Sequence, residues 1–128
     1  MSYEVLNISK ERELCSVVGK RAWDKVEREI DLLAKEMKLS KQEKDALIQR
    51  QMASLRYMEL QAENKYLSRT QETFALRKIE KNKLEMQRMN RIYIKNQNEV
   101  QKSEPVLKQR VQEKQLLSDN QQKNTNKK

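Results

Sequence analysis

From Lys20 onward, apolar residues recur at alternating spacings of three and four. Trp23, Val26, Ile30, Leu33 and Met37 form one stripe, and Asp24, Lys25, Arg28, Glu29, Asp31 and Lys35 fill the other faces. That spacing places the apolar side chains on one face of an α-helix. Trp23, at the start of the stripe, reads as a packing anchor. The pattern breaks at Leu39-Ser40-Lys41-Gln42-Glu43, where Ser40 and Glu43 have the spacing of a capping box. The first amphipathic helix is therefore expected to stop near Lys38 and a second to start at Lys41. The short joint permits either an antiparallel hairpin or a nearly collinear rod.

Beyond Ser40 a seam continues through Ile48, Met52, Leu55, Ala62 and Tyr66, then Leu76, Ile79, Met86 and Tyr93. Polar residues interrupt it at Glu59, Arg69, Thr73, Lys83 and Asn90. A self-sufficient coiled coil seldom carries so many polar seam positions. The pattern instead fits a helix that touches different surfaces along its length. Glycine and proline occur once each, at Gly19 and Pro105. With no obvious breaker between them, one helix of about 60 residues is expected, ~90 Å long at 1.5 Å per residue.

Toward the N-terminus, Ser9 can cap a short helix with Glu11 and Glu13 in its first turn, and Gly19 is expected to break it. At the other end, Ser103-Glu104-Pro105 is a strong stop. A further short helix with Leu107, Val111 and Leu117 on one side can follow, and the run from Ser118 has the polar composition of a disordered tail. The expected organisation is a lead and short helix over 1–19, an amphipathic helix over 20–38, and a long helix over 40–102. A short helix over 103–117 and a disordered tail over 118–128 complete it. The fold class is all-α, elongated and non-globular, with two or three helices.

Composition deepens this reading. Charged residues make up 37% of the 128 positions and hydrophobic ones 36%, against roughly 25% and 45–50% in ordinary domains. Such a chain does not easily bury enough apolar area to offset its conformational entropy as a lone globule. The net charge of +9 is uneven. Residues 1–64 balance to zero, while residues 65–95 carry nine basic and three acidic side chains. The second half is thus drawn toward acidic surfaces. The lone Cys15 makes a reducing compartment the default. No apolar run exceeds three residues, far short of a membrane span, and no signal peptide is evident, so a soluble intracellular protein is expected.

Absent residues narrow the chemistry further. Without histidine and with one cysteine, nitrogen–sulfur zinc sites and Ser-His or Cys-His nucleophiles have no members. One glycine cannot build a phosphate-cradling loop. The carboxylate pairs Glu27/Asp31 and Glu59/Glu63 read as solvated charge on exposed helix faces. Cys15 lies near Lys20 and Arg21, which would lower its pKa, yet an inert thiol is the simpler reading. No enzyme and no cofactor are expected. The cations Arg77, Lys78, Lys81, Lys83, Arg88 and Arg91 are spread around the helix without base-stacking aromatics, which does not favour nucleic acid. They do not segregate from a bulky apolar face, which does not favour a membrane surface.

Residues 50–93 carry a further pattern: Leu55-Arg56, then Arg69, Ala75-Leu76, Glu80, Leu84-Glu85 and Asn90-Arg91-Ile92-Tyr93. It resembles the small helical cilia- and flagella-associated proteins of the axoneme, in which an arginine, an Ala/Leu pair, spaced glutamates and a Gly-x-aromatic segment end a long helix. Asn90 stands here where that family has glycine. The resemblance implies a doublet microtubule inner protein on the axonemal cytoskeleton, with tubulin and neighbouring filamentous proteins as partners. On that reading Trp23, Ile30, Leu33, Leu55, Tyr66, Leu76 and Tyr93 are apolar anchors, and Arg69, Arg77, Arg88 and Arg91 pair with acidic tubulin. The alternatives are a self-associating coiled-coil adaptor of the centrosome or cytoskeleton, with the homodimer not favoured, and a basic accessory subunit of a ribonucleoprotein or organellar complex.

Overall fold

A computed structural model describes residues 4–70 and 72–100, and within these the chain is all-helical. The elements are α1 (Ile8–Leu14), α2 (Val17–Glu36), α3 (Lys41–Leu67) and α4 (Thr73–Val100). The expected short helix over 103–117 and the tail over 118–128 lie outside the described residues.

The expected helix of about 60 residues is instead two helices of 27 and 28 residues. The break between them uses neither glycine nor proline. Ser68 caps α3 through its N–H to the Asn64 carbonyl, 2.9 Å. Its hydroxyl donates to the Lys65 carbonyl at 2.8 Å, and the Thr70 hydroxyl donates to the Leu67 carbonyl at 2.9 Å. Hydroxyls that fold back on the last turn compete with helix continuation. The chain re-enters a helix when the Leu76 N–H reaches the Glu72 carbonyl.

The two halves then pack antiparallel. On α3 the facing residues are Ala46, Arg50, Ala53, Tyr57, Leu60, Asn64 and Leu67; on α4 they are Ala75, Ile79, Asn82, Met86, Met89, Tyr93, Asn96 and Val100. All are buried or half-buried, and both rows alternate steps of four and three. This is the heptad period of helices crossing at a small angle. Register is marked by three contacts. Asn82 Nδ2 donates to Asn64 Oδ1 at 2.9 Å, Arg50 donates to Gln97 Oε1 at 2.7 Å, and Ala46 and Val100 share one core cluster. The α4 seam thus runs through Ala75, Asn82 and Met89 rather than Leu76, Lys83 and Asn90. Leu76 is exposed, and the polar interruptions at Lys83 and Asn90 belong to the solvent side.

The joint at Ser40 is a hairpin. Ile30, Leu33 and Met37 of α2 pack with Ala46 and Leu47 of α3, and Trp23 packs with Met52, Ala53 and Leu60. Ser40 Oγ accepts from the Glu43 N–H at 3.1 Å, as the capping-box spacing predicts. The Glu43 carboxylate receives the Ser40 hydroxyl at 3.2 Å. Burial of the Trp23 side chain to 1% exposure contributes about 1.5–3 kcal/mol or more, the scale of a large apolar side chain. The surfaces along which α3 runs are therefore the chain's own: α4 on one side and α1–α2 on another.

Two boundaries near the N-terminus differ from expectation. Asn7, not Ser9, caps α1 by accepting from the Lys10 N–H. The break falls at Cys15–Ser16, where Ser16 Oγ accepts from the Gly19 N–H at 3.1 Å, so Gly19 lies inside α2. Gly19 is closely approached by the Glu59 carboxylate, which would have to shift to admit a Cβ. Ahead of α1, Leu6 is clasped by Gln49, whose amide donates to the Leu6 carbonyl and accepts from its N–H, both at 2.8 Å.

The end of α2 carries the one positive φ among the described non-glycine residues, Lys38 at 52°. The Leu39 N–H reaches back to the Ala34 carbonyl at 3.0 Å, which makes this a Schellman end with lysine in the glycine position. A left-handed backbone costs an L-residue roughly 1–2 kcal/mol. Lys38→Gly is therefore expected to stabilise the fold by about 1 kcal/mol. A urea titration would show this as a higher midpoint with an unchanged slope.

Candidate functional site

Where the α1–α2 turn meets the α3–α4 hairpin, four charged side chains converge. Glu11, 6% exposed, lies 3.3 Å from Arg56 Nε and 3.9 Å from Arg88 Nη1. Arg56 also reaches Glu59 at 3.9 Å and donates to the Leu14 carbonyl at 3.3 Å. Glu59 Oε2 accepts from the Ser16 N–H at 3.0 Å. Every helix contributes to this cluster directly or through the turn. It clamps the α1–α2 turn onto the hairpin, with the Glu59 carboxylate close against Gly19.

Cys15 lies against the same cluster, buried, with its thiol donating to the Glu11 carbonyl. Burial, and then the nearby Glu59 carboxylate, push its pKa up to about 11. The thiol is held in its neutral form, as an inert cysteine should be. The carboxylates of Glu59 and Glu63, expected to be solvated, are engaged. Glu63 Oε1 receives Lys78 Nζ at 3.4 Å and Asn82 Nδ2 at 3.2 Å. Among the described residues no group of three or more histidine, cysteine or acidic side chains could hold a metal ion, and no helix is long and apolar enough to cross a membrane.

The clamp also marks where α1 and α2 stop along the hairpin. Met52, Glu59 and Tyr66 are seven residues apart and lie on one stripe of α3. Met52 is fully buried beside Trp23, Glu59 is half-buried against the start of α2, and Tyr66 is 68% exposed. On α4 the matching stripe runs from Arg88, beside Glu11, through exposed Lys81 to Phe74, 67% exposed. The last two turns of α3 and the first turns of α4 therefore project beyond α1–α2. Their mutual packing rests on Ala75, Ile79, Leu67 and the Asn64–Asn82 pair. Lys65, Arg69, Arg77 and Lys81 are exposed on this tip and make no ion pair among the described residues.

The expected partner-binding residues separate into three groups. Trp23 and Ile30 are buried in the chain's own core, and Leu33, Leu55 and Tyr93 pack against it. These five anchor helix to helix. Arg88 and Arg91 are occupied: Arg88 by Glu11 and Glu85, and Arg91 by Glu4 through two hydrogen bonds of 3.1 and 2.8 Å. Of these residues, Tyr66, Arg69, Leu76 and Arg77 are exposed and make no ion pair among the described residues, and all four sit on the projecting tip. Phe74 and Lys81 join them there, unmarked beforehand because the turn at Ser68 had no visible breaker. Comparison with protein families, curated proteins and solved structures finds no match for this chain.

Removing Arg56 should be costly, because it leaves buried Glu11 with only the more distant Arg88, 3.9 Å away, to balance its charge. Arg56→Met is expected to destabilise by about 3 kcal/mol, and the double change Glu11→Met with Arg56→Met to recover most of that loss. Chemical denaturation of the four species in the cycle reads the coupling directly.

The Cys15 thiol sets a pH dependence whose sign follows from its shift. Its folded pKa lies above the ordinary value of 9.0, at about 11. The stability it contributes is complete below the ordinary value and is lost as pH rises through the folded one. Native protein is expected to resist iodoacetamide at neutral pH and to melt at lower temperature as the alkaline range is crossed. Cys15→Ala should flatten that alkaline loss.

Proposed function

We propose that the chain is a structural, non-catalytic helical protein that binds an acidic protein lattice through the tip of its α3–α4 hairpin. The lattice we propose is the ciliary axonemal doublet microtubule, which the resemblance of residues 50–93 implies. On this reading the protein lies against tubulin as an inner protein and helps to stabilise the wall. The observation that carries the proposal is the projecting tip. Lys65, Arg69, Arg77 and Lys81 stand there without an ion pair among the described residues, beside exposed Tyr66, Phe74 and Leu76, and outnumber the exposed Glu72 and Glu80. Elsewhere the arginines are largely spent inside the chain, as at Arg12–Asp24, Arg56–Glu11 and Arg91–Glu4. Free cations beside exposed aromatic rings suit an acidic protein surface, where each ring adds apolar burial to an otherwise salt-screened attraction.

A self-associating coiled coil receives less support, because the heptad seam that would pair two chains is already filled within one. Co-sedimentation with polymerised tubulin tests the proposal. Wild-type protein is expected to pellet at low salt and to be released as salt rises, and Arg69→Glu with Arg77→Glu should weaken binding about tenfold or more. Failure to pellet at low salt, or pelleting indifferent to that double change, would contradict it.

A further inference from the structure

The inner face of the projecting tip has a shape of its own. It is the same face of the hairpin that α2 covers lower down, left open because α2 begins at Val17, beside Glu59. Above that point the floor is Ala62, Tyr66 and Phe74, spanned by the Lys78–Glu63 pair. At its lower end stands the α1–α2 turn, with Leu14, Val17 and Val18 exposed at 57, 67 and 76%. By helical register, the floor side chains and the exposed turn thus flank one open length of the hairpin, a recess past the start of α2.

From this we propose that the recess is a berth for one short helix of a partner protein, an amphipathic helix with carboxylates along its flanks. Its apolar edge would lie on Tyr66 and Phe74, with its end against Leu14, Val17 and Val18, continuing the three-helix packing past the point where α2 begins. The geometry suits a helix because the underlying α3–α4 seam keeps its heptad period to the tip, so the groove that receives α2 continues unchanged. The polarity of the partner follows from charge. Glu63 is taken up by Lys78 and Asn82, whereas Lys81 has no ion pair among the described residues.

Charge also disfavours two nearer occupants. A second copy of this chain carries the same net +9, and residues 101–128, which lie outside the described region, hold seven basic and three acidic side chains. The berth rests on the proposed function only in requiring an acidic protein partner. The exposed Arg69 and Arg77, which serve that function, lie outside its floor.

The test uses the full chain and three synthetic peptides of about 14 residues, ~21 Å as helices. One has leucines at heptad seam positions with glutamates flanking them, one has lysines in place of the glutamates, and one scrambles the first. Binding is read by fluorescence anisotropy, and folding of each variant by circular dichroism. The glutamate peptide is expected to bind about tenfold or more tighter than the other two, and Tyr66→Glu or Phe74→Glu to weaken it by a similar factor. Met58→Glu, on the opposite side of the hairpin, should leave binding unchanged, as should Arg69→Glu with Arg77→Glu, which separates this site from the tubulin contact. The inference is overturned by no binding of the glutamate peptide, by equal binding of the lysine peptide, or by indifference to Tyr66→Glu and Phe74→Glu. Sedimentation equilibrium showing a dimer that those changes dissociate would equally overturn it, since the berth would then be filled by a second copy.

Discussion

Everything else in the structure depends on the register of α3 against α4, marked near the tip by Asn82 donating to Asn64. A buried asparagine pair costs packing energy that two leucines would not, but it is satisfied in one alignment only. Here Asn82 also reaches Glu63, and Asn64 turns its own amide to the Ile79 carbonyl at 3.3 Å. Slipping the helices by one heptad would leave these groups buried without partners, a penalty of roughly 1–3 kcal/mol for each. The alignment that results brings Ala46 beside Val100 at one end, and it sets how far the hairpin extends past the shorter helix pair that clasps it.

That difference in length produces the division of labour along the molecule. Near Ala46 the hairpin is covered by α2, whose stripe from Trp23 to Met37 finds a complete apolar surface. At mid-length, the Glu11–Arg56–Glu59–Arg88 cluster closes the junction with charge instead of hydrocarbon. A buried ionic cluster is a weak source of net stability, yet it is intolerant of misalignment, so it positions the α1–α2 turn on α3. Past the clamp only two helices remain, and among their outward residues cations outnumber acids and stand beside the exposed rings of Tyr66 and Phe74. The uneven charge along the chain, balanced before residue 65 and positive after it, thus becomes an unevenness in space.

Much of the fold was legible in the chain itself. The stripe from Trp23 to Met37 and the cap at Ser40 are written in local spacing, and both form as the periodicity predicts. The turn at Ser68 was not legible, because Ser68 and Thr70 end the helix through hydroxyls that read equally well as solvated surface. The turn also decides which α4 residues form the seam. With one continuous helix, Leu76 is the natural seam residue; once the chain reverses, small Ala75 allows closer helix contact and Leu76 faces solvent. The drift in the apolar pattern was a true signal of several surfaces, but those surfaces were other helices of the same chain. Of the residues proposed to meet a partner, the arginines could not be sorted in advance. That Arg91 is paired depends on Glu4, 87 positions away, and no local pattern reports that.

The claim on which this picture turns is the reversal between Leu67 and Thr73. It is tested most directly by a distance between spin labels at Gln42→Cys and Glu99→Cys, placed in a Cys15→Ser chain and measured by pulsed electron resonance. The hairpin brings these two side chains within hydrogen-bonding distance, 3.4 Å, so a single short distance of about 20 Å or less between the labels is predicted. Across the same 57 positions an unbroken helix would hold them ~85 Å apart. A long or broadly distributed distance would contradict the folded hairpin and, with it, the projecting tip.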